Sequence, residues 1–274
     1  MQYEFDAAGF YSAGAADRFG QLFSDTDMGR TEAAETARFI EGYANGGSVL
    51  ELGVGDGRVA VEVAALGLSV HGVDGSDAML SGLKERDPDG LIAVTQGDFA
   101  ESLPDGPFDV VFISYGTLFL VGTQERQLRT MELAASRLKP SGVTIIETYN
   151  PYLHLHPRDE NVRAIVLKDR VMLEVEVVDR NDQRVVNVVV PLDGGTEADI
   201  ATHRWVWLSE LDLMARHAGL ELRERFGGWN REPVGHAMKG RRSERYVSVH
   251  GVAGQGSPPE NLPHRTSRSD HQDV

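Results

Sequence analysis

The chain has 274 residues, 41% of them hydrophobic, which suffices for one large domain or two small ones with a proper core. Against 42 acidic side chains stand 27 Lys and Arg, a formal charge of −15 that argues against a phosphate-binding surface, so no nucleic-acid partner is expected. There is no cysteine, hence no disulfide framework, thiolate metal site or cysteine nucleophile.

Residues 1–47 are expected to form an N-terminal helical cap. Met1 to Ala16 carries Glu4 and Asp6 and lacks a basic patch followed by an apolar run, so it does not read as a secretory signal. No stretch approaches the roughly 18 apolar residues of a spanning helix. A cytoplasmic protein with no membrane partner is expected, as a monomer or homodimer.

From Ser48 the pattern alternates short apolar runs with helical segments, as a parallel sheet covered by crossover helices does. Ser48 to Leu52 reads as the first strand, Gly53 to Gly57 as a loop, and Arg58 to Leu66 as a helix stopped by Gly67. Ser69 to Val73 is the second strand. Ser76 is placed to cap a helix running to about Arg86, and Leu91 to Thr95 is the third strand. Phe108 to Ser114 is the fourth. Thr123 to Leu138 is helical, and Lys139 to Gly142 stops it before a fifth strand, Val143 to Thr148.

The pattern then changes to β-branched runs separated by polar turns, at Val162 to Leu167, Val171 to Asp179 and Arg184 to Pro191, an antiparallel excursion. A helix from about Leu208 to His217, closed by Gly219, precedes two late strands, Leu220 to Phe226 and Arg245 to His250. The organisation expected is a core from residues 48–150 and 208–252, an insertion at 151–207 that forms an acceptor lid or a dimer contact, and a tail at 253–274. That tail is rich in Pro, Ser, Gly and charge and has too little apolar surface to order.

Glu51 to Gly57 reads ELGVGDG, a strand leading into three glycines at alternate positions and then a helix. Such a loop lets a ligand lie against bare backbone, and the helix start offers amide donors to a carboxylate or phosphate. The nicotinamide fingerprint fails, because its third glycine falls on Arg58. Asp74, at the end of the second strand, stands where an acid accepts hydrogen bonds from ribose hydroxyls. Asp98 and Phe99, after Gly97, follow the third strand, where an acid can accept from an exocyclic amine and a ring can lie against a base.

ELGVGDG, VHGVD, QGDF and FDVVFISYGTL, in this order and spacing, resemble the class I S-adenosylmethionine-dependent methyltransferases over roughly Arg30 to Glu147. The resemblance implies a Rossmann-like, doubly wound α/β fold with a seven-stranded, mostly parallel sheet and an inserted antiparallel β lid. It implies S-adenosylmethionine as cofactor, with Gly53, Gly55 and Gly57 along its methionine part, Asp74 and the adjoining Gly75 at the ribose, and Asp98 with Phe99 at the adenine. Glu51 would orient the loop, and Met79 would give an apolar contact beside the adenosine or belong to the core. The fourth strand would end near the transferable methyl, at Ser114 and Tyr115. FISYGT is not the Asn/Asp-Pro-Pro-Tyr sequence of some amine methyltransferases, which disfavours DNA adenine and glutamine amides as acceptors. The inserted strands resemble those of natural-product and amino-sugar methyltransferases, and the Ala, Gly, Val and Arg bias resembles high-GC bacterial proteins, as expected for secondary metabolism.

The expected reaction is in-line transfer of methyl to an O or N nucleophile of a small molecule, with water excluded. A general base would help, and His154 and His156 share a face if their segment is extended. No third ligand accompanies them, so no metal is assigned. Tyr115 is a further catalytic candidate. Tyr149 should overlook the pocket, and His203, Trp205 and Trp207 share one face of a strand, as an aromatic wall for the acceptor or a packed lid strand. Trp229, with Asn230, is placed at the edge of the acceptor cavity. In the cap, Tyr11 and Arg30 are expected at the cofactor carboxylate. The alternatives are a nicotinamide-dependent oxidoreductase and a non-catalytic or repurposed cofactor-binding fold.

Overall fold

A computed structural model describes residues 16, 19–20, 24–153, 155, 158–166, 171–192, 198–235 and 243–254. Tyr11, His154, His156 and the tail beyond Gly254 lie outside the described residues.

Helix α1 (Asp27–Ala44) starts where the Thr26 hydroxyl accepts the Gly29 N–H at 3.0 Å, and it ends at Asn45 in the left-handed conformation. Its Ala33, Ala37, Phe39, Ile40 and Ala44 are buried, one apolar stripe at helical spacing. Five strands and three helices follow: β1 (Ser48–Leu52), α2 (Arg58–Ala65), β2 (Ser69–Asp74), α3 (Asp77–Arg86), β3 (Ile92–Gln96), β4 (Phe108–Ile113), α4 (Gln124–Ser136) and β5 (Leu138–Tyr149). Next come β6 (Glu160–Val166), β7 (Val171–Asp179), β8 (Arg184–Pro191), β9 (Asp199–Arg204), α5 (Leu208–His217), β10 (Leu220–Phe226) and β11 (Arg245–Val252).

Seven strands form one sheet in the order β10-β11-β5-β4-β1-β2-β3, and β6-β7-β8-β9 form a second. From β5 to β3 all neighbours are parallel, while β11 enters antiparallel between β5 and β10. Because the central strands are covered on both faces, they carry continuous apolar runs. One layer packs α1, α2 and α3 against Val49, Val110, Phe112, Ile145 and Val247. The other packs α4 and α5 against Leu50, Leu52, Val111, Ile113 and Ile146, and Val178 and Val185 of the second sheet join it.

Several boundaries differ from expectation. The segment Lys139 to Gly142 lies within β5 and not between the helix and the strand: α4 ends at Ser136, Leu138 already pairs with Phe108, and after an irregularity the ladder resumes at Val143 against Val110. The Lys139 ammonium, 2.7 Å from the Asp109 carboxylate, ties the irregular stretch to β4. Strand β9 ends at Arg204, so His203, Trp205 and Trp207 do not share a strand face. Trp207 instead stands at the start of α5, and Trp205 turns into the core, 2% exposed among the α4 and α5 side chains. In β6 the ladder starts at Glu160 rather than Val162.

Candidate active site

The C-terminal ends of β1, β2 and β4 meet at the glycine loop, the place where open α/β sheets take their ligands. The amides of Gly53 and Val54 both donate to the Val73 carbonyl, at 2.8 and 3.0 Å, which pins the loop to the end of β2. Gly53 and Gly55 have φ of 75° and 58°, a region L side chains rarely adopt. A Cβ on Gly53 would sit 2.4 Å from Thr117 Cγ2, and one on Gly55 would sit 3.0 Å from Met79 Cε. Met79 is buried, with its methyl against the glycine loop.

Asp74 organises the loop from the next strand. Its Oδ2 accepts the Gly55 N–H and its Oδ1 the Ser76 N–H, both at 2.9 Å, and Gly75 adds a backbone donor. Burial raises its carboxyl above the usual range, and these three amides partly offset the shift.

On the face covered by α1, the strand ends carry polar side chains in a row where apolar ones would be expected: Glu51, Ser114, Glu147 and Arg245. Glu51 is 2% exposed; its Oε1 accepts a long 3.4 Å bond from the Ser114 hydroxyl, and its Oε2 has no partner. Burial raises its carboxyl well above the ordinary value, against the pull of Arg58. Glu147 is 1% exposed; its Oε2 accepts the Tyr115 N–H at 2.5 Å and its Oε1 a bond from Arg245 Nη1 at 2.8 Å. The same Arg245 nitrogen bonds Glu32 of α1. Burial raises the Glu147 carboxyl, with Arg245 opposing.

Tyr115 has a φ of 56°, an uncommon conformation for a non-glycine residue, and the Glu147 carboxylate holds its amide there. Its ring lies edge-on to Tyr149 at 6.0 Å and to Phe19 at 5.8 Å, with the Arg58 guanidinium 5.1 Å above it. Burial pushes its phenol up to about 12, and burial also raises that of Tyr149, with Glu147 reinforcing. Both phenols therefore stay protonated at neutral pH.

The structure brings Glu51, Gly53, Gly55, Gly57, Asp74, Gly75, Met79, Ser114, Tyr115 and Tyr149 to this edge. Asp98 is placed at the end of β3, where its Oδ1 accepts the Ala100 N–H at 2.8 Å and its Oδ2 pairs with Arg126. Phe99 packs partly buried against the second core layer. Arg30 does not reach the loop: it is exposed and pairs with Asp27 one turn back, so Arg58 and not Arg30 is the arginine here. His203 stands opposite Val185 in the second sheet and is half-buried. Trp205 is core rather than wall, as is Trp229, which is 5% exposed and packs on Phe39 of α1 at 5.4 Å. Sequence reasoning missed Glu32, Thr117, Glu147 and Arg245. The signal for Glu147 was present, since a carboxylate inside the apolar run VTIIETY needs a partner or a purpose.

S-adenosylmethionine, the cofactor implied by the resemblance, fits this arrangement. The glycine cradle leaves room that side chains would fill, Asp74 offers carboxylate lone pairs at the end of β2, and Glu51 Oε2 is a buried acceptor without a donor. Comparison with known proteins points the same way. A methyltransferase-domain family profile matches residues 49–142. Over 195 residues, 69% of this chain and 78% of the relative, the chain is 31% identical to the cypemycin N-terminal methyltransferase of a Streptomyces species. The solved structure of the CcbJ methyltransferase from Streptomyces caelestis, 31% identical, superposes with a TM-score of 0.79 over 91% of this chain and all of that one. An S-adenosylmethionine-bound amino pentose methyltransferase from Micromonospora echinaspora shares the fold, with a TM-score of 0.63 at 18% identity over 92% of this chain and 99% of that one. The nicotinamide-dependent and non-catalytic alternatives fall with these relationships. The chain belongs to the S-adenosylmethionine-dependent methyltransferases, enzymes of Rossmann-like fold that take S-adenosylmethionine as cofactor.

Proposed function

We propose that this enzyme methylates a small molecule of bacterial secondary metabolism and that, of the O and N nucleophiles open to it, the acceptor is an amine. The observation that carries this reading is the excess of carboxylates at the reaction edge, where buried Glu51 stands with Glu147 and Glu32, the last two sharing Arg245 beside the rings of Tyr115 and Tyr149. Carboxylates and aromatic faces both attract an ammonium group. The name of the cypemycin N-terminal methyltransferase supports the same direction.

When bound, S-adenosylmethionine supplies a methyl group activated by its sulfonium. The chain's own task is to orient the nucleophile, shed its proton and keep water out. Tyr115, fixed by the Glu147 carboxylate, and Tyr149 supply a protonated, partly apolar wall for the amine. Glu147, whose burial raises its proton affinity, is the carboxylate nearest this wall and the candidate to hold the proton the amine gives up. On this reading the second sheet, which carries His203, roofs the acceptor. Among the described residues no helix is long and apolar enough to cross a membrane.

The test is methyl transfer from radiolabelled S-adenosylmethionine to a panel of amino sugars and peptide N-termini beside hydroxyl analogues of the same shape. Labelled amines with silent hydroxyl analogues are expected. Label on the hydroxyl analogues alone would overturn the amine reading, and Tyr115→Phe should slow transfer to whichever acceptor is found.

A further inference from the structure

One guanidinium joins the N-terminal half of α1 to the reaction edge. Nη1 of Arg245, at the start of β11, donates to Glu147 Oε1 at 2.8 Å and also to Glu32 Oε1, which α1 brings in from 213 positions away. One arginine is enough to neutralise a buried carboxylate, so desolvation of Glu147 does not explain a second acid on the same nitrogen. The turn beyond Glu147 gives the link a use. Glu147 Oε2 takes the Tyr115 N–H at 2.5 Å, and Tyr115 keeps a φ of 56°, which persists only where neighbours hold it. Gly116 follows at φ 68°, and a Cβ there would lie 2.7 Å from the Tyr149 ring, so that ring rests on the bare backbone of the same turn. Tyr149 shares a face of β5 with Glu147. Arg245 stands opposite Tyr149 in the β11 ladder, its guanidinium 5.9 Å from the ring centre. The carboxylate and the ring that hold the Tyr115 turn therefore both meet Arg245, and α1 holds Arg245. A second bridge approaches the same helix but leads elsewhere: Arg86 of α3 joins Asp25, just ahead of α1, to Asp56 in the glycine loop, at 2.7 and 3.1 Å.

We propose that Glu32 and Arg245 are positioning residues for methyl transfer: by bridging α1 to Glu147 they hold Tyr115 at the reaction edge, so that docking of the cap helix sets the geometry of the acceptor side. The role in transfer rests on the reading of Tyr115 and Glu147 as acceptor-side residues. The mechanical link from α1 to Tyr115 does not, and it is measured apart from that reading.

Hydrogen exchange of the Tyr115 amide, followed by NMR, reads the link without any acceptor. Glu32→Ala, which keeps the helix, should speed that exchange about tenfold or more. Glu32→Gln, which retains an oxygen for Arg245, should stay within about threefold of wild type, and Asp25→Asn, which loosens the other bridge, within about twofold. Turnover is the second arm, with whichever acceptor the labelling panel identifies. Glu32→Ala should lower kcat about tenfold or more while KM for S-adenosylmethionine moves less than about twofold, and Glu32→Gln should recover most of the rate. Unchanged Tyr115 exchange in Glu32→Ala would overturn the proposal. Equal acceleration in Glu32→Ala and Asp25→Asn would also overturn it, by showing a general loosening of α1. Faster exchange with unaltered kcat would overturn the positioning role. Turnover at the wild-type rate in both Tyr115→Phe and Glu147→Gln would overturn the acceptor-side reading itself, and the positioning role with it, whatever the exchange result.

Discussion

Gly53→Ala offers a perturbation whose cost divides into two separately measurable parts. At φ 75° the new residue takes a left-handed backbone conformation, which costs about 1–2 kcal/mol. Its Cβ would also lie 2.4 Å from Thr117 Cγ2, an overlap that displaces the turn after β4 and costs about 1–3 kcal/mol. The sum is about 2–5 kcal/mol, read from urea unfolding followed by tryptophan fluorescence. Thr117→Ser deletes the clashing methyl. In the double variant the overlap is relieved, so about 1–3 kcal/mol should return and only the backbone part should remain. Affinity for S-adenosylhomocysteine should follow the same course, falling in Gly53→Ala and recovering in part in the double variant. Strictly additive effects, or a cost for Gly53→Ala below about 0.5 kcal/mol, would refute the packing described for this loop.

Asp212 is pushed up by burial but pulled down further by its hydrogen bonds from His250 and Arg225, to about 2. A depressed carboxylate stabilises the fold above its unfolded value near 3.9 and loses that contribution as pH falls from about 4 to about 2. Asp212→Asn should therefore cost about 1–2 kcal/mol at pH 7 after allowance for solvent screening, and the gap to wild type in urea should narrow towards pH 3; a pH-independent gap would contradict the pairing. Glu147→Leu strips Arg245 of one partner and the Tyr115 amide of its acceptor, a loss of about 3 kcal/mol since Glu32 still holds Arg245. Glu147→Gln keeps an acceptor for that amide and should cost less by the same unfolding assay, so equal costs would count against the clamp on Tyr115. Trp205→Ala should lose about 3–5 kcal/mol by the same unfolding assay, whereas truncating a residue that only walls an open acceptor cavity would change stability by no more than about 0.5 kcal/mol.

The order of strands and helices was legible because each has a local signature: apolar runs for the covered strands, Ser76 and Thr123 as caps, Gly67 and Gly219 as stops. The glycine loop and Asp74 were legible for the same reason, since their spacing reflects one strand, one turn and the next strand. What escaped depends on contacts distant in sequence. Arg245 meets Glu147 across 98 positions, and Arg58 reaches Gly29 only because α1 crosses above the loop. Trp205 and Trp229 looked like site residues because aromatic spacing is the same whether a ring faces a cavity or a core. Only the end of β9 at Arg204, and the packing of Phe39 on Trp229, decide between the two. Arg30 and Arg58 show the converse, for two arginines near one motif differ in role by burial, which the sequence does not display.

The most direct measurement is titration of the wild-type enzyme and of Asp74→Ala with S-adenosylmethionine, with NAD as the control ligand. One equivalent should bind the wild type with saturable heat, Asp74→Ala should weaken it tenfold or more, about 1.4 kcal/mol, and NAD should give none. Saturable binding of NAD with no heat from S-adenosylmethionine, or an affinity indifferent to Asp74, would contradict the account of the glycine loop and its acid as the cofactor site.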